Sequence, residues 1–202
     1  MSRFLLMRHA AVELEGNVIG GRSPGIHLSA RGRAQAQLLA ILLTNEPMTA
    51  IYTSPRERAR ETAQCIADER RVSVEIAPEL DELNYGDWTS LTLEQLSAQP
   101  RWQAFNSIRS CTRIPGGELI IEVQARVAAL IERLHAEQTT GSVLLVSHCD
   151  VIRAALAYYL SFPLDLMLRL EISPGSVSIV ELTAAGPSVA CVNYTEKLPS
   201  DA

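Results

Sequence analysis

Two histidines, two arginines and one glutamate are spaced along this chain in a way that points to phosphoryl chemistry. Arg8 and His9 stand directly behind the apolar run Phe4-Leu5-Leu6-Met7, and Ser147 and His148 directly behind Val143-Leu144-Leu145-Val146. Four successive apolar residues without polar alternation suit a strand buried on both faces of a parallel sheet. Each imidazole therefore sits where a strand leaves the sheet, and open α/β sheets bind ligands beyond the carboxyl ends of their strands. Arg58 follows a third short apolar run, Ala50-Ile51-Tyr52. Glu82 lies in an acidic stretch threaded with Leu80, Leu83, Tyr85 and Trp88. Apolar neighbours raise a carboxylic acid's pKa, which a general acid near neutral pH requires.

Planar guanidinium groups pair bidentately with phosphate oxygens, so Arg8 and Arg58 beside two imidazoles would make a site for a dianion. A neutral imidazole can attack phosphorus and hold the group covalently, dividing one hard displacement into two easier ones. It must be kept in one tautomer by a hydrogen bond to its other nitrogen. The arginines and the second histidine would then stabilise charge on the transferring group, while a carboxylic acid protonates the departing alkoxide. There is no Walker-type glycine loop and no acid or histidine cluster with metal-ligand spacing, so neither a metal nor another cofactor is expected. The pair His148-Cys149 invites a cysteine-phosphatase reading, but Ala155 occupies the place where that loop needs its arginine. Plainer readings stand beside these: Arg8 and His9 solvating a loop, and the acidic stretch as a surface loop anchored by Trp88.

The elements that must position these groups can be placed in chain order. A glycine-rich loop runs from Ala11 to Leu28, long enough to be functional. Ser29 looks like the N-cap of a helix over Ala34 to Leu43. Ser54, Pro55 and Glu57 look like a capped helix start, with Arg58, Thr62 and Ile66 inward and Arg56 and Arg60 solvated. Val72 to Ile76 reads as an edge strand, and residues 79–117, with Trp102 and Phe105, as an insertion or lid ended by Pro115-Gly116-Gly117. An amphipathic helix over Leu119 to His135 buries Val123, Val127, Leu130, Ile131 and Leu134 and leaves Arg126 in solvent. Another helix runs from Asp150 to Leu160. Leu168 to Ile172, Val177 to Leu182 and Val189 to Tyr194 alternate at period two and read as antiparallel strands, before a frayed tail at 198–202. His27 and His135 are read as a loop histidine and a helix-terminal histidine. The expected fold is a single domain over 1–197, a three-layer α/β/α sandwich whose mostly parallel sheet ends in antiparallel C-terminal strands.

At 202 residues with 47% hydrophobic content, the chain can bury a substantial core. A net charge of -5 argues against a nucleic acid or an anionic membrane as the main partner. No apolar run approaches the length of a bilayer span or a signal-peptide core, so a cytoplasmic location is expected. Cys65, Cys111, Cys149 and Cys191 are far apart, with no paired spacing for a disulfide framework or structural zinc. The unpaired edge of the C-terminal strands leaves a homodimer possible.

Together these segments resemble the histidine phosphatase superfamily, also called phosphoglycerate mutase-like. Arg8-His9-Ala10 resembles its Arg-His-Gly signature, Leu28-Ser29 through Gln35-Ala36 its first helix start, and Ser54-Pro55 through Thr62-Ala63 its second-arginine segment. Leu80 to Trp88 resembles the acid-bearing segment, Pro115 to Glu118 a recurrent turn, and Val146-Ser147-His148 through Arg153 the second-histidine segment. The resemblance implies that His9 is the phosphorylated nucleophile, Glu82 the proton donor, and Arg8, Arg58 and His148 phosphate ligands. Arg22, Ser147 and Cys149 are further candidates for phosphate or substrate contact. A small phosphorylated metabolite is the implied substrate. Residues 21–28 and 165–180 look most like a bacterial branch labelled phosphomutase, so phosphate return, as in a phosphoglycerate mutase, is kept beside hydrolysis. A phospholigand-binding protein without catalysis is the third reading, because Ala10 replaces the signature glycine and the loop after His9 lacks the Thr and Asn of the family's spacing; Thr89-Ser90, Leu119 and Cys149 are further departures from the family pattern.

Overall fold

A computed structural model describes residues 1–13, 17–70, 72–137 and 141–195. Its centre is a six-stranded sheet of β1 (Ser2–Arg8), β2 (Met48–Thr53), β3 (Val74–Ile76), β4 (Gly141–Ser147), β5 (Val177–Thr183) and β6 (Gly186–Tyr194). The spatial order is β3-β2-β4-β1-β5-β6. The first four are parallel, and β5 and β6 are added antiparallel.

The apolar runs behave as expected of strands covered on both faces. Phe4, Leu6, Val143 and Leu145 point toward one core, with Val123, Val127 and Ile131 of α5 (Ile120–Glu137) and Ile152 and Leu156 of α6 (Cys149–Tyr159). Leu5, Met7, Ile51, Leu144 and Val146 point toward the other, with Leu39 of α1 (Ala30–Leu42) and Ala63 and Ile66 of α2 (Glu57–Asp68). The period-two alternation of the pleat thus divides each run between two helical layers. At about 25 cal/mol per Å² of apolar area, these two interfaces are the main source of stability.

Chain reversal at the sheet creates the crevice. β1 and β2 are neighbours in sequence but not in space, because β4 is inserted between them. In register, Arg8 lies opposite Ser147 and Thr53 opposite Val146, so three strands end at one level. The residues just beyond each strand are therefore delivered to a common edge.

Several local expectations are corrected. Ser29 does cap α1, accepting from the Gly32 amide at 3.0 Å. The predicted start of α2 at Ser54 and Pro55 is two residues early: the helix opens at Glu57 without a side-chain cap. Ser54 is diverted because its hydroxyl is used by His148 and Asp81. Leu168 to Ile172 is not a strand; Leu164–Arg169 is a short 3-10 helix, its start tied to Ser110, whose amide and hydroxyl donate to the Asp165 carboxylate. Period-two apolar spacing over so few residues does not distinguish the two.

The stretch 79–117, with α3 (Leu93–Ser97) and α4 (Pro100–Ser107), is anchored rather than laid on the surface. Leu96, Phe105 and Ile114 are fully buried in the larger core, and Trp88 packs edge-on against Trp102 and Phe105. The tail expected at 198–202 lies outside the described residues. Among the described residues no helix is long and apolar enough to cross a membrane.

Candidate active site

His9 leaves β1 through a backbone bond from its own amide to the Ser147 carbonyl, 2.9 Å, which ties the ends of β1 and β4 together. Its Nδ1 is 2.8 Å from the Ala10 carbonyl, an acceptor only, so Nδ1 carries the proton. Nε2 is left with the lone pair, and the Arg58 Nε donates to it at 3.3 Å. Burial, reinforced by Arg58 and Arg8, lowers the His9 pKa to about 3 despite the bond to Ala10. The imidazole is therefore neutral, in a single tautomer and nucleophilic at Nε2. Ala10 fits its place without a left-handed backbone, and its amide donates to Thr62 Oγ1 at 3.1 Å.

Arg58 projects from the first turn of α2 and is almost wholly buried. Its Nη2 donates to the Gly21 carbonyl at 2.8 Å and lies 3.2 Å from His148 Nδ1. Its Nη1 and the Nε of Arg8 are buried with no hydrogen-bond partner among the described residues. Buried guanidinium N–H groups without partners are costly, and here they lie beside a nucleophile. Arg8 is aimed by a 2.6 Å bond from its Nη1 to the Ile172 carbonyl.

His148 precedes α6 and its ring lies edge-on to that of His9, centroids 5.2 Å apart. Its Nε2 is 2.7 Å from Ser54 Oγ, which in turn donates to Asp81 Oδ1 at 3.4 Å. Nε2–H toward Ser54 leaves Nδ1 facing Arg58 and Glu82. Burial first, then the neighbouring positive charges, hold its pKa well below the ordinary value.

Glu82 reaches the same place from the loop. Its Oε2 lies 3.5 Å from His148 Nδ1 and 3.9 Å from Arg58 Nη2, while Oε1 accepts from the Leu83 amide at 2.8 Å. Burial and the nearby Asp150 charge raise its pKa to about 7, against the opposing pull of Arg58. It is thus an acid that carries its proton below neutrality and can give it up just above.

The loop bearing Glu82 is held by its carbonyls. Arg126 on α5 donates to the Glu79 and Asp81 carbonyls, the latter at 2.6 Å. Arg22 donates to the Glu82 carbonyl at 2.7 Å and to Glu118 at 2.9 Å. Arg56 pairs with Asp81 at 2.8 Å. Glu118 also receives the Asn84 amide, and the Asp87 amide bonds to the Pro115 carbonyl. Gly86 sits in the left-handed region, and a Cβ there would fall 2.1 Å from the Pro115 oxygen, so only glycine permits this approach.

Of the eight candidate residues, His9, Arg8, Arg58, His148 and Glu82 come together. Cys149 lines the adjoining cleft, its thiol pKa raised by burial. Arg22 and Ser147 do not face the phosphate position: Arg22 grips the loop through the Glu82 carbonyl, and Ser147 Oγ donates to the Leu80 carbonyl at 2.7 Å. Arg56 and Arg126, expected in solvent, are half-buried behind the same loop. Ser54, Asp81 and Asp150 are site residues that motif reading passed over. The signal for Asp150 was available: it stands in the first turn of the helix that His148 begins.

The cleft above these groups has a volume of about 260 Å³ and is lined by Arg8, Gly21, Glu82, Tyr85, Cys149 and Asp150 among others. A larger groove of about 430 Å³ beside α2, lined by His27, Glu57 and Glu61, contains none of the five assembled residues. Its glutamates would repel a phosphate.

A family model described as the histidine phosphatase superfamily, branch 1, matches residues 4–195. The chain belongs to that superfamily. The adenosylcobalamin/α-ribazole phosphatase of Salmonella typhimurium is 30% identical, over 95% of this chain and 96% of its own. Phosphoserine phosphatase 1 of Hydrogenobacter thermophilus is 28% identical, over 96% of this chain and 93% of its own. The crystal structure of an α-ribazole phosphatase from Shigella flexneri superposes with a TM-score of 0.84 at 27% identity, covering 95% of this chain and 96% of that one. For a histidine phosphatase, the grouping of a neutral, single-tautomer imidazole with guanidinium donors that have no partner among the described residues is the arrangement the chemistry requires.

Proposed function

We propose that this histidine phosphatase hydrolyses a small phosphomonoester through a phosphohistidine at His9, with Glu82 as general acid and then general base. The observation that carries the reading is the state of His9: Nδ1–H is fixed on Ala10 and the Nε2 lone pair faces Arg58, whose Nη1, like the Nε of Arg8, is buried without a hydrogen-bond partner among the described residues.

The steps follow from these positions. The phosphate dianion displaces Arg58 from the Nε2 lone pair and takes its oxygens to the N–H groups of Arg8 and Arg58, while His148, whose one proton faces Ser54, holds Arg58 through Nδ1. Nε2 forms a bond to phosphorus as the ester P–O bond breaks, and protonated Glu82 passes its proton to the leaving oxygen. Water then attacks the phosphohistidine, Glu82 takes back a proton, and the N–P bond breaks to release inorganic phosphate and neutral His9. Hydrolysis is placed ahead of phosphate return because the relatives across the full chain length are phosphatases. The net charge and scattered cysteines support a cytoplasmic site of action.

The test is rapid acid-free quenching of the wild type and of His9→Ala with a ³²P-labelled aryl phosphate and a chelator present. The expected result is an alkali-stable, acid-labile phosphoenzyme in the wild type only. Label retained by His9→Ala sinks the reading, and interconversion of 3-phosphoglycerate and 2-phosphoglycerate in the presence of 2,3-bisphosphoglycerate would make the chain a mutase instead.

A further inference from the structure

The turn just before α5 carries a carboxylate that the reaction steps leave unused. Glu118 follows Pro115-Gly116-Gly117 and is half-buried against the loop that bears Glu82. Its Oε2 accepts from Arg22 Nη2 at 2.9 Å and from the Asn84 amide at 2.8 Å, and its Oε1 faces Arg126 Nε at 3.5 Å. The Glu118 amide donates to the Asn84 carbonyl at 3.1 Å, so one residue holds both backbone groups of Asn84. The turn lies closer to the loop than a side chain would allow: a Cβ on Gly117 would fall 2.2 Å from the Asn84 oxygen.

The two arginines that Glu118 holds converge on a single atom. Arg22 Nε donates to the Glu82 carbonyl at 2.7 Å, and Arg126 Nη2, bonded to the Asp81 carbonyl at 2.6 Å, also reaches the Glu82 carbonyl at 3.4 Å. A carbonyl oxygen has two lone pairs for such donors, but two guanidiniums brought to it repel one another. Glu118, paired with both, offsets that repulsion. Burial lowers the Arg126 pKa, the Glu118 charge opposes that shift, and Arg22 adds to it.

The aim of the Glu82 carboxyl depends on this backbone anchor. The carboxyl has one close contact, from the adjacent Leu83 amide to Oε1 at 2.8 Å, while Oε2 stands 3.5 Å from His148 Nδ1 and 3.9 Å from Arg58 Nη2. A general acid must come within hydrogen-bond reach of the leaving oxygen, and a misplacement of about 1 Å can cost on the order of 10²-fold. The loop has no long element of its own. Arg126 on α5 and Glu118 at its approach connect the loop to a helix packed in the larger core.

Resting on the phosphatase reading with Glu82 as its acid, we propose that Glu118 is the positioning residue of the proton donor. It sets Arg22 and Arg126 on the Glu82 carbonyl and so fixes the reach of the Glu82 carboxyl, without touching substrate.

Phenyl phosphate and p-nitrophenyl phosphate share a ring and a phosphate but differ in how far the leaving oxygen needs a proton. Their kcat/KM, which covers the steps up to loss of the leaving group, is measured for the wild type, Glu118→Gln and Arg22→Lys. Gln keeps the shape but gives up one of two acceptor oxygens, and Lys cannot span the Glu82 carbonyl and Glu118 together. The expected loss is about ten- to thirtyfold on phenyl phosphate and under roughly threefold on p-nitrophenyl phosphate, with the same selectivity in both variants. In a Glu82→Gln background, Glu118→Gln should change either constant by less than about twofold, because residues that act through one another are not additive. Equal effects on the two esters, or a full further loss in the Glu82→Gln background, overturn the proposal and leave Glu118 a support of the fold alone. If Glu118→Gln fails to fold, Arg22→Lys decides by the same ratio. Labelling of His9 by p-nitrophenyl phosphate keeps the two readings apart: an unlabelled wild type removes the phosphatase reading, whereas a labelled Glu118→Gln without leaving-group selectivity removes only this inference.

Discussion

The floor of the site and the wall that carries its acid are built by different means. Arg8, His9 and His148 leave β1 and β4 at matched register positions, and Arg58 stands in the first turn of α2. Their positions follow from sheet register and helix start, which the two cores lock in place. Glu82 lies between two short 3-10 helices, Pro78–Leu80 and Gly86–Trp88, with no long element of its own. Arg22, Arg56, Arg126 and Glu118 supply the missing rigidity by holding carbonyls, an amide and Asp81. Preorganised donors can come from backbone regularity or from a ring of charged side chains. The second route uses residues that look like surface from their sequence.

The largest effect should come from breaking the floor. Arg58→Ala removes the donor at the nucleophile, two contacts to neighbours and a phosphate ligand at once. A fall in kcat/KM of roughly 10³-fold is expected, at the upper end of single-donor losses because the site is dry. Arg58→Lys should restore little, since a point charge cannot reach both Gly21 and the phosphate oxygens. Steady-state kinetics on an aryl phosphate measure both, and a loss under about tenfold would separate Arg58 from the reaction.

Breaking the wall should give a smaller, conditional loss. Glu82→Gln keeps the shape but cannot donate to an alkoxide, so alkyl phosphates should slow by roughly 10²–10³-fold. p-Nitrophenyl phosphate, whose leaving group needs no proton, should be nearly spared. The wild type should lose kcat/KM for alkyl esters as pH rises through about 7, because Glu82 has its pKa raised and gives up its proton there. His9, held near 3, stays unprotonated across that range and adds no limb. Profiles of the two enzymes from pH 4 to 9 check this: an alkaline limb that survives in Glu82→Gln would belong to another group.

The same contrast explains which parts of the molecule were legible from sequence. Unbroken runs such as Phe4-Leu5-Leu6-Met7 and Val143-Leu144-Leu145-Val146 announce buried strands, so the fold and the exits of His9 and His148 could be read from them. Glu82 was visible because Leu80, Leu83 and Trp88 surround it with apolar residues that are in fact buried. Arg126 was misplaced, since helical periodicity reports only which face carries apolar residues, and its guanidinium reaches back to loop carbonyls from the edge of that face. Arg22 and Ser147 stand in the segments that carry the family resemblance and were candidates for phosphate or substrate contact. Membership of a segment cannot say whether a side chain points into the cleft or behind it. Ser54 carried a strong N-cap signature, and a partner distant in sequence, His148, claimed its hydroxyl instead.

Ser54 is also where the two regions meet, because its hydroxyl joins His148 of the floor to Asp81 of the wall. Asp81 accepts the Glu82 amide at 2.8 Å through the oxygen that Ser54 also contacts, so the imidazole tautomer and the acid loop share one anchor. Ser54→Ala should leave both regions folded, since Arg56 and Arg22 still hold Asp81. His148 would keep its place but lose the group that holds the proton on Nε2. The expected loss is about three- to tenfold in kcat with KM little changed, the scale of one neutral hydrogen bond. A ¹⁵N spectrum of the His148 ring should show Nε2–H in the wild type and a tautomer mixture in Ser54→Ala. Retention of a single Nε2–H tautomer in the variant would mean that the floor orients His148 without the wall, and the two regions would then be independent.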